Sequence, residues 1–182
     1  VATPDDAVLL GNLLELYIHD LSGIFPNVTL GPDGRFGYRR LPQAEPVEQA
    51  RDVARAVAFV QRRMAAEGTP PGDMVLVGHS SGAHLVALLA ADHDLATAEG
   101  VQPWLASVLL DSAALDVVQL MRTPHLPLHD RAFCESEAGW RNASPLHRLS
   151  GRTAPMLLVH SSRRPVVGAQ ARAFAAAVVA RG

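Results

Sequence analysis

The sequence predicts an α/β fold, a three-layer sandwich around a mostly parallel sheet. Three observations carry this expectation. Short continuous apolar runs at residues 74–77, 105–110 and 156–160 read as buried parallel strands. Helical patterns at about residues 46–67, 82–91 and 168–181 alternate with them. Strands alternating with helices along the chain are what crossover-connected parallel sheets require.

The elements follow in order. Residues 4–21 read as a helix: Pro4-Asp5-Asp6 offers a start, and Leu10, Leu13, Leu14, Tyr17, Ile18 and Leu21 share one face. Ser22-Gly23 closes it, Gly31-Pro32-Asp33-Gly34 is a turn, and residues 35–39 alternate as a short strand. Pro42 and Pro46 bracket a break. In the helix of residues 46–67, Val53, Val57, Val60 and Met64 form an apolar stripe, and Gly68 suits the position after its end. Pro70-Pro71-Gly72-Asp73 is a loop before the first apolar run. A helix is expected from Gly82 at once after that run, and residues 112–121 also read as helical. Residues 122–151, with Pro124, Pro127 and Pro145, read as a long irregular excursion holding a short helix. The last helix turns Phe174 and Val178 inward.

Composition bounds the function. The 182 residues are 48% hydrophobic and 19% charged, too apolar and too balanced for a disordered chain. A net charge of −2 argues against nucleic acid as a partner. All 16 basic residues are Arg, which reads as coding bias rather than recognition chemistry. No apolar run nears the roughly 18 to 20 residues of a membrane helix, so no membrane partner is expected. One cysteine, Cys134, excludes an internal disulfide, and no signal-peptide pattern follows Val1. Both fit a cytoplasmic location.

Gly78-His79-Ser80-Ser81-Gly82 matches G-x-S-x-G, the nucleophile elbow. Here a chain turns sharply from strand into helix, and Gly on either side of the Ser leaves room for that turn. The Ser80 hydroxyl then projects from the carboxyl edge of the sheet. The Ser81 N–H lies at a helix N-terminus, where it can stabilise an oxyanion. About 0.06 chance matches are expected in a chain of this composition, so the strand before and helix after the motif carry weight. The competing reading is a Gly-rich strand-to-helix turn.

Residues 75–85 (VLVGHSSGAHL) resemble the elbow of alpha/beta hydrolases of the carboxylesterase and kynurenine formamidase-like group. The likeness extends upstream through Tyr38-Arg39-Arg40-Leu41, residues 52–54 and residues 58–60. Downstream, Ala143-Ser144-Pro145-Leu146, residues 154–160 and residues 170–174 resemble the stretches around the acid loop. The resemblance covers roughly residues 42–182 and implies a partial alpha/beta-hydrolase fold. It implies Ser80 as nucleophile and the Ser81 N–H as oxyanion donor. The substrate would be a small-molecule ester or amide, with no cofactor and no metal.

The remaining parts of the family's machinery do not fall where the resemblance puts them. Residues 161–167, Ser-Ser-Arg-Arg-Pro-Val-Val, carry no carboxylate in the acid loop. No further strand with a following His precedes residue 182, and no His-Gly-Gly loop occurs in residues 1–45. The hydrolase part therefore reads as truncated, and a truncated sheet would favour self-association through its open edges. Asp111, after the strand of residues 105–110, is a candidate acid; as an alternative it caps the next helix. His160 is a candidate base or a loop histidine. His79 is expected to pack or to support the oxyanion loop, and His84 to be structural. His125, His129 and His147 are expected in solvent. Asp92-His93-Asp94 has no matching ligands at metal spacing, and Cys134 has no partner that would mark a nucleophile.

Residues 7–38, with Asn12 to Leu21 and Asp33 to Tyr38, resemble the opening of GNAT-type acetyltransferases, although that family's acetyl-CoA pyrophosphate loop is absent. Residues 1–41 thus read as a segment of separate origin, joined near Leu41 to the hydrolase-like domain of residues 42–182. Three functions are open: a carboxylesterase-like serine hydrolase, a catalytically incomplete remnant or binding domain, and an acetyltransferase.

Overall fold

A computed structural model describes residues 45–133, 135–162 and 165–181. The expected elements of residues 4–21 and 35–39, the acetyltransferase-like opening and Cys134 lie outside the described residues. Helix α1 (Pro46–Ala66) opens with Pro at its first position, where a missing N–H costs nothing. Strand β1 (Val75–His79) runs straight into α2 (Ser81–Ala91), and α3 (His93–Ala98) follows. Strand β2 (Ala106–Leu110) precedes an excursion holding α4 (Val117–Met121), α5 (Pro127–Ala132), α6 (Glu137–Asn142) and α7 (Pro145–Arg148). Strand β3 (Met156–Val159) and α8 (Pro165–Val179) close the order.

The three strands are parallel in the order β1-β2-β3, as the alternation of elements predicts. Register pairs Gly78 with Leu109 and Leu109 with Leu158, which puts Leu76, Leu109 and Leu158 on one face. Helices α1, α2, α3 and α8 bury their apolar sides over that face, with Leu88, Leu89, Leu109 and Phe174 at or near zero exposure. The opposite face carries Val75, Val77, Leu157 and Val159, all exposed. The described residues thus build two of the three expected layers.

The elements differ from expectation in instructive ways. The buried line of α1 is Val47, Ala50, Ala54, Val57, Ala58 and Gln61, whereas Val60 is 43% exposed. Alanines let α1 approach α2 closely, so small residues outcompete the valine stripe. Gln61 can be buried because its amide clasps a backbone: Nε2 donates to the Gln102 carbonyl and Oε1 accepts from the Gln102 N–H, both at 2.9 Å. The helix expected over residues 112–121 shrinks to α4, started by the Asp116 carboxylate accepting from the Gln119 N–H. Residues 122–151 hold three short helices, α5, α6 and α7, rather than one. A satellite core gathers Ala114, Val117, Leu120, Phe133 and Ala143. Buried Ser144 ties it together, accepting from the Val117 N–H at 2.9 Å and donating to the Trp140 carbonyl at 2.7 Å. No helix among the described residues is long and apolar enough to cross a membrane.

Candidate active site

Strand β1 and helix α2 meet at Ser80, whose backbone sits at φ 53°, ψ −116°. That region is costly for a side chain bearing a Cβ and is found where surrounding structure enforces it. Two bonds enforce it here. The Ser80 N–H donates to the Leu110 carbonyl at 2.8 Å, and the Ser80 carbonyl accepts from the His84 N–H at 3.1 Å. Gly78 makes the turn feasible, because a Cβ there would lie 2.4 Å from the Gly82 carbonyl oxygen. The second glycine differs from expectation. A Cβ on Gly82 would meet nothing within 4 Å, so it is the backbone of Gly82, not its lack of a side chain, that crowds the turn.

Ser80 is exposed and opens into a cleft of about 130 Å³. Leu85, Ala113, Ala114, Leu128 and Phe133 give it apolar walls, and Ser81, Ser112, His84 and His129 add polar groups. The first N–H groups of α2, beginning with Ser81, have no carbonyl one turn earlier within the helix to receive them. They and the helix dipole favour negative charge beside Ser80.

His84 sits one turn into α2, on the same face as Ser80. Its Nδ1 lies 2.8 Å from the Ala114 carbonyl. A carbonyl only accepts, so Nδ1 carries the hydrogen and Nε2 keeps its lone pair. Burial pushes the imidazole down to about 4, against a smaller opposing effect of the Ala114 bond, so the ring is neutral near pH 7. Phe133 packs edge-on against it at 5.7 Å between ring centres.

The structure does not bring the two other candidate triad members into this cleft. Asp111 ends β2 beside Ser80 and is, with Ser80, one of two non-glycine residues at positive φ among those described, at 55°. Its Oδ1 accepts from the Ser161 N–H at 3.0 Å, rather than capping the helix after it. His160 follows β3 and lies against α8, where a Cβ on Gly168 would come within 2.9 Å of its Cε1. Neither residue lines the cleft. His79 is exposed.

Of the excursion histidines, His147 is exposed as expected, whereas His125 and His129 are half-buried. His129 lines the cleft. His125 binds the Asp130 carboxylate at 2.8 Å and the Thr123 carbonyl at 2.7 Å, and the Asp130 bond raises it above the usual histidine range. His147 lies 3.4 Å from Asp116. Sequence reasoning missed His129 because nothing local ties residue 129 to residue 80. For His84 a signal existed, its spacing of one helical turn from Ser80. Asp92, read beside a metal pattern, caps α3 by accepting from the Leu95 N–H and pairs with Arg148. No group of three metal-ligating side chains occurs among the described residues.

Comparison with known proteins places this geometry. The BD-FAE family model matches residues 35–177. Esterase LipQ of Mycobacterium tuberculosis is 29% identical over 154 residues, covering 78% of this chain and 36% of that protein. Among solved structures, Thermogutta terrifontis esterase 2 phosphonylated by sarin is similar at a TM-score of 0.60 and 22% identity, over 78% of this chain and 54% of that one. Esterase B from Lactobacillus rhamnosis is similar at a TM-score of 0.58 and 19% identity, over 80% and 50%. The chain therefore spans between about a third and a half of the length of these relatives. The architecture they share is the alpha/beta-hydrolase fold.

Proposed function

The chain belongs to the BD-FAE family, and on that premise we propose that it is a serine esterase acting on a small-molecule ester through Ser80. The observation that carries this reading is the strained, exposed Ser80 at the head of α2, opening into a cleft. In the proposed reaction Ser80 Oγ adds to the ester carbonyl and its proton passes to a base. The developing oxyanion is met by the Ser81 N–H. The alcohol leaves with a proton, and water then releases the acyl group from Ser80. For the base, His129 is the half-buried imidazole that lines the cleft, and it joins His160 as a candidate.

A second reading is a binding domain that keeps the sheet without a working triad. It is favoured by the Asp111 carboxylate being held by the Ser161 N–H and by His160 lying against Gly168. Two measurements on the full chain separate them. A fluorophosphonate probe should label Ser80, and Ser80→Ala should lose both the adduct and the hydrolysis of 4-nitrophenyl acetate. A folded chain with an unlabelled Ser80 would leave only the binding domain.

A further inference from the structure

Helix α5 supplies one wall of the cleft. Leu128, His129 and Ala132 line it, and their spacing puts them on one side of the helix. Little burial holds this short element in place. Of its described side chains, only His129 is as much as half-buried. Phe133, just past its end, is anchored in the satellite core. Leu128 lies near the other end, away from that anchor. A segment with so little buried surface opens at low cost unless something else ties it down.

His125 is such a tie. Its Nδ1 lies 2.7 Å from the carbonyl of Thr123, which follows α4, and its Nε2 lies 2.8 Å from Oδ1 of Asp130 on α5. A carbonyl and a carboxylate both only accept. A neutral imidazole has one N–H and can donate to one of them. Its other nitrogen would then turn a lone pair toward an oxygen. The protonated ring has two N–H groups and donates to both. The contacts are therefore those of an imidazolium that bridges the end of α4 to α5. The Asp130 bond is the main influence that raises His125 above the usual histidine range, and the Thr123 carbonyl adds to it. Among the described side chains, the other titratable group beside the ring is His129, at 6.1 Å between ring centres. Arg122 is turned to Glu137 of α6.

We propose that protonated His125 is a positioning residue for the cleft, clamping α5 through Asp130 so that Leu128 and His129 are held beside Ser80. The clamp rests on the reading of this cleft as the substrate site of Ser80. When the ring loses a proton, one of its two bonds goes with it, and either loss breaks the bridge. The wall then loosens. A neutral ester is bound more tightly below the pH at which His125 titrates than above it.

The test uses the full chain carrying Ser80→Ala, so that bound ester persists, and ethyl butanoate, whose charge does not change with pH. Its dissociation constant is measured from about pH 6 to about pH 9, and the imidazole resonances of His125 and His129 are followed in the same samples. The constant should rise about twofold to fivefold across that range, the scale of a single partly exposed charge contact. Its midpoint should coincide with that of His125 and not with that of His129. The Leu128 methyl resonances of the ester-free chain should move with the same midpoint, which tests the clamp even where the ester binds too weakly to titrate. Asp130→Asn keeps the shape of an exposed side chain and removes its charge, so the midpoints of His125, of binding and of Leu128 should fall together. His125→Gln should abolish the transition. Binding and Leu128 resonances that stay flat with pH, a midpoint that follows His129, or one that Asp130→Asn leaves in place would overturn the clamp. Labelling of the unaltered chain by fluorophosphonate reports separately on Ser80. An unlabelled Ser80 with the pH-dependent binding intact would sink the esterase reading and support the clamp, and a labelled Ser80 with no pH-dependent transition would do the reverse.

Discussion

At Gly78 a single methyl group would collide with backbone, and backbone cannot swing aside as a side chain can. Gly78→Ala should therefore cost at least about 2 kcal/mol in urea unfolding. Gly82→Ala meets open space on a helix and should fall within about 1 kcal/mol of the parent, on the stabilising side. The motif was legible in the sequence, but the unequal standing of its glycines was not, because spacing carries no distances. His84 makes a second prediction. Unfolded, it titrates near 6.5; folded, burial pushes it down to about 4. Between those values the unfolded chain binds the extra proton. His84 thus contributes stability that is complete above about pH 6.5 and lost as pH falls toward 4, by about 3 kcal/mol in all. Urea unfolding across that range should show the fall, and His84→Phe should flatten it.

Two buried glutamines hold elements together by the same device. Gln61 clasps the backbone of Gln102, and Gln170 clasps Asp116, accepting from its N–H at 3.1 Å and donating to its carbonyl at 3.0 Å. The second clasp ties α8 to the excursion that forms one wall of the cleft. Gln170→Ala leaves that N–H and carbonyl without their partners and should cost about 1–3 kcal/mol. Limited proteolysis should speed up within residues 111–155 in that variant. The strands and long helices were legible because their apolar patterns are local and continuous. The short helices α5, α6 and α7 were not, because each buries little and is placed by its surroundings, with Trp140 of α6 against the satellite core and Leu146 of α7 against the main one. Propensity decides little in segments of four to six residues, which are too short to be stable helices alone. On α1 the expected stripe held at Val57 and Val53 and missed at Val60 for a related reason: alanines carry little hydropathy, yet Ala50, Ala54 and Ala58 fill most of the buried line.

Among the described residues, the helices over one face of the sheet hold the core, and the other face shows Val75, Val77, Leu157 and Val159. Parallel sheets are ordinarily covered on both sides. That face of the sheet should therefore bind a hydrophobic dye in the folded state. Val77→Thr with Leu157→Thr should lower that signal, while the rate of Ser80 phosphonylation stays as it was. Unchanged dye binding would place the apolar surface elsewhere. That pairing of effects follows from the pleat. Because successive side chains of β1 point to opposite faces, its residues fall into two sets with separate duties. Leu76 and Gly78 answer to the helices and the turn, and Val75 and Val77 answer to neither. The outward set is thus a place where an engineer can rewrite surface properties, tags or attachment points one residue at a time and leave Ser80 in its original setting.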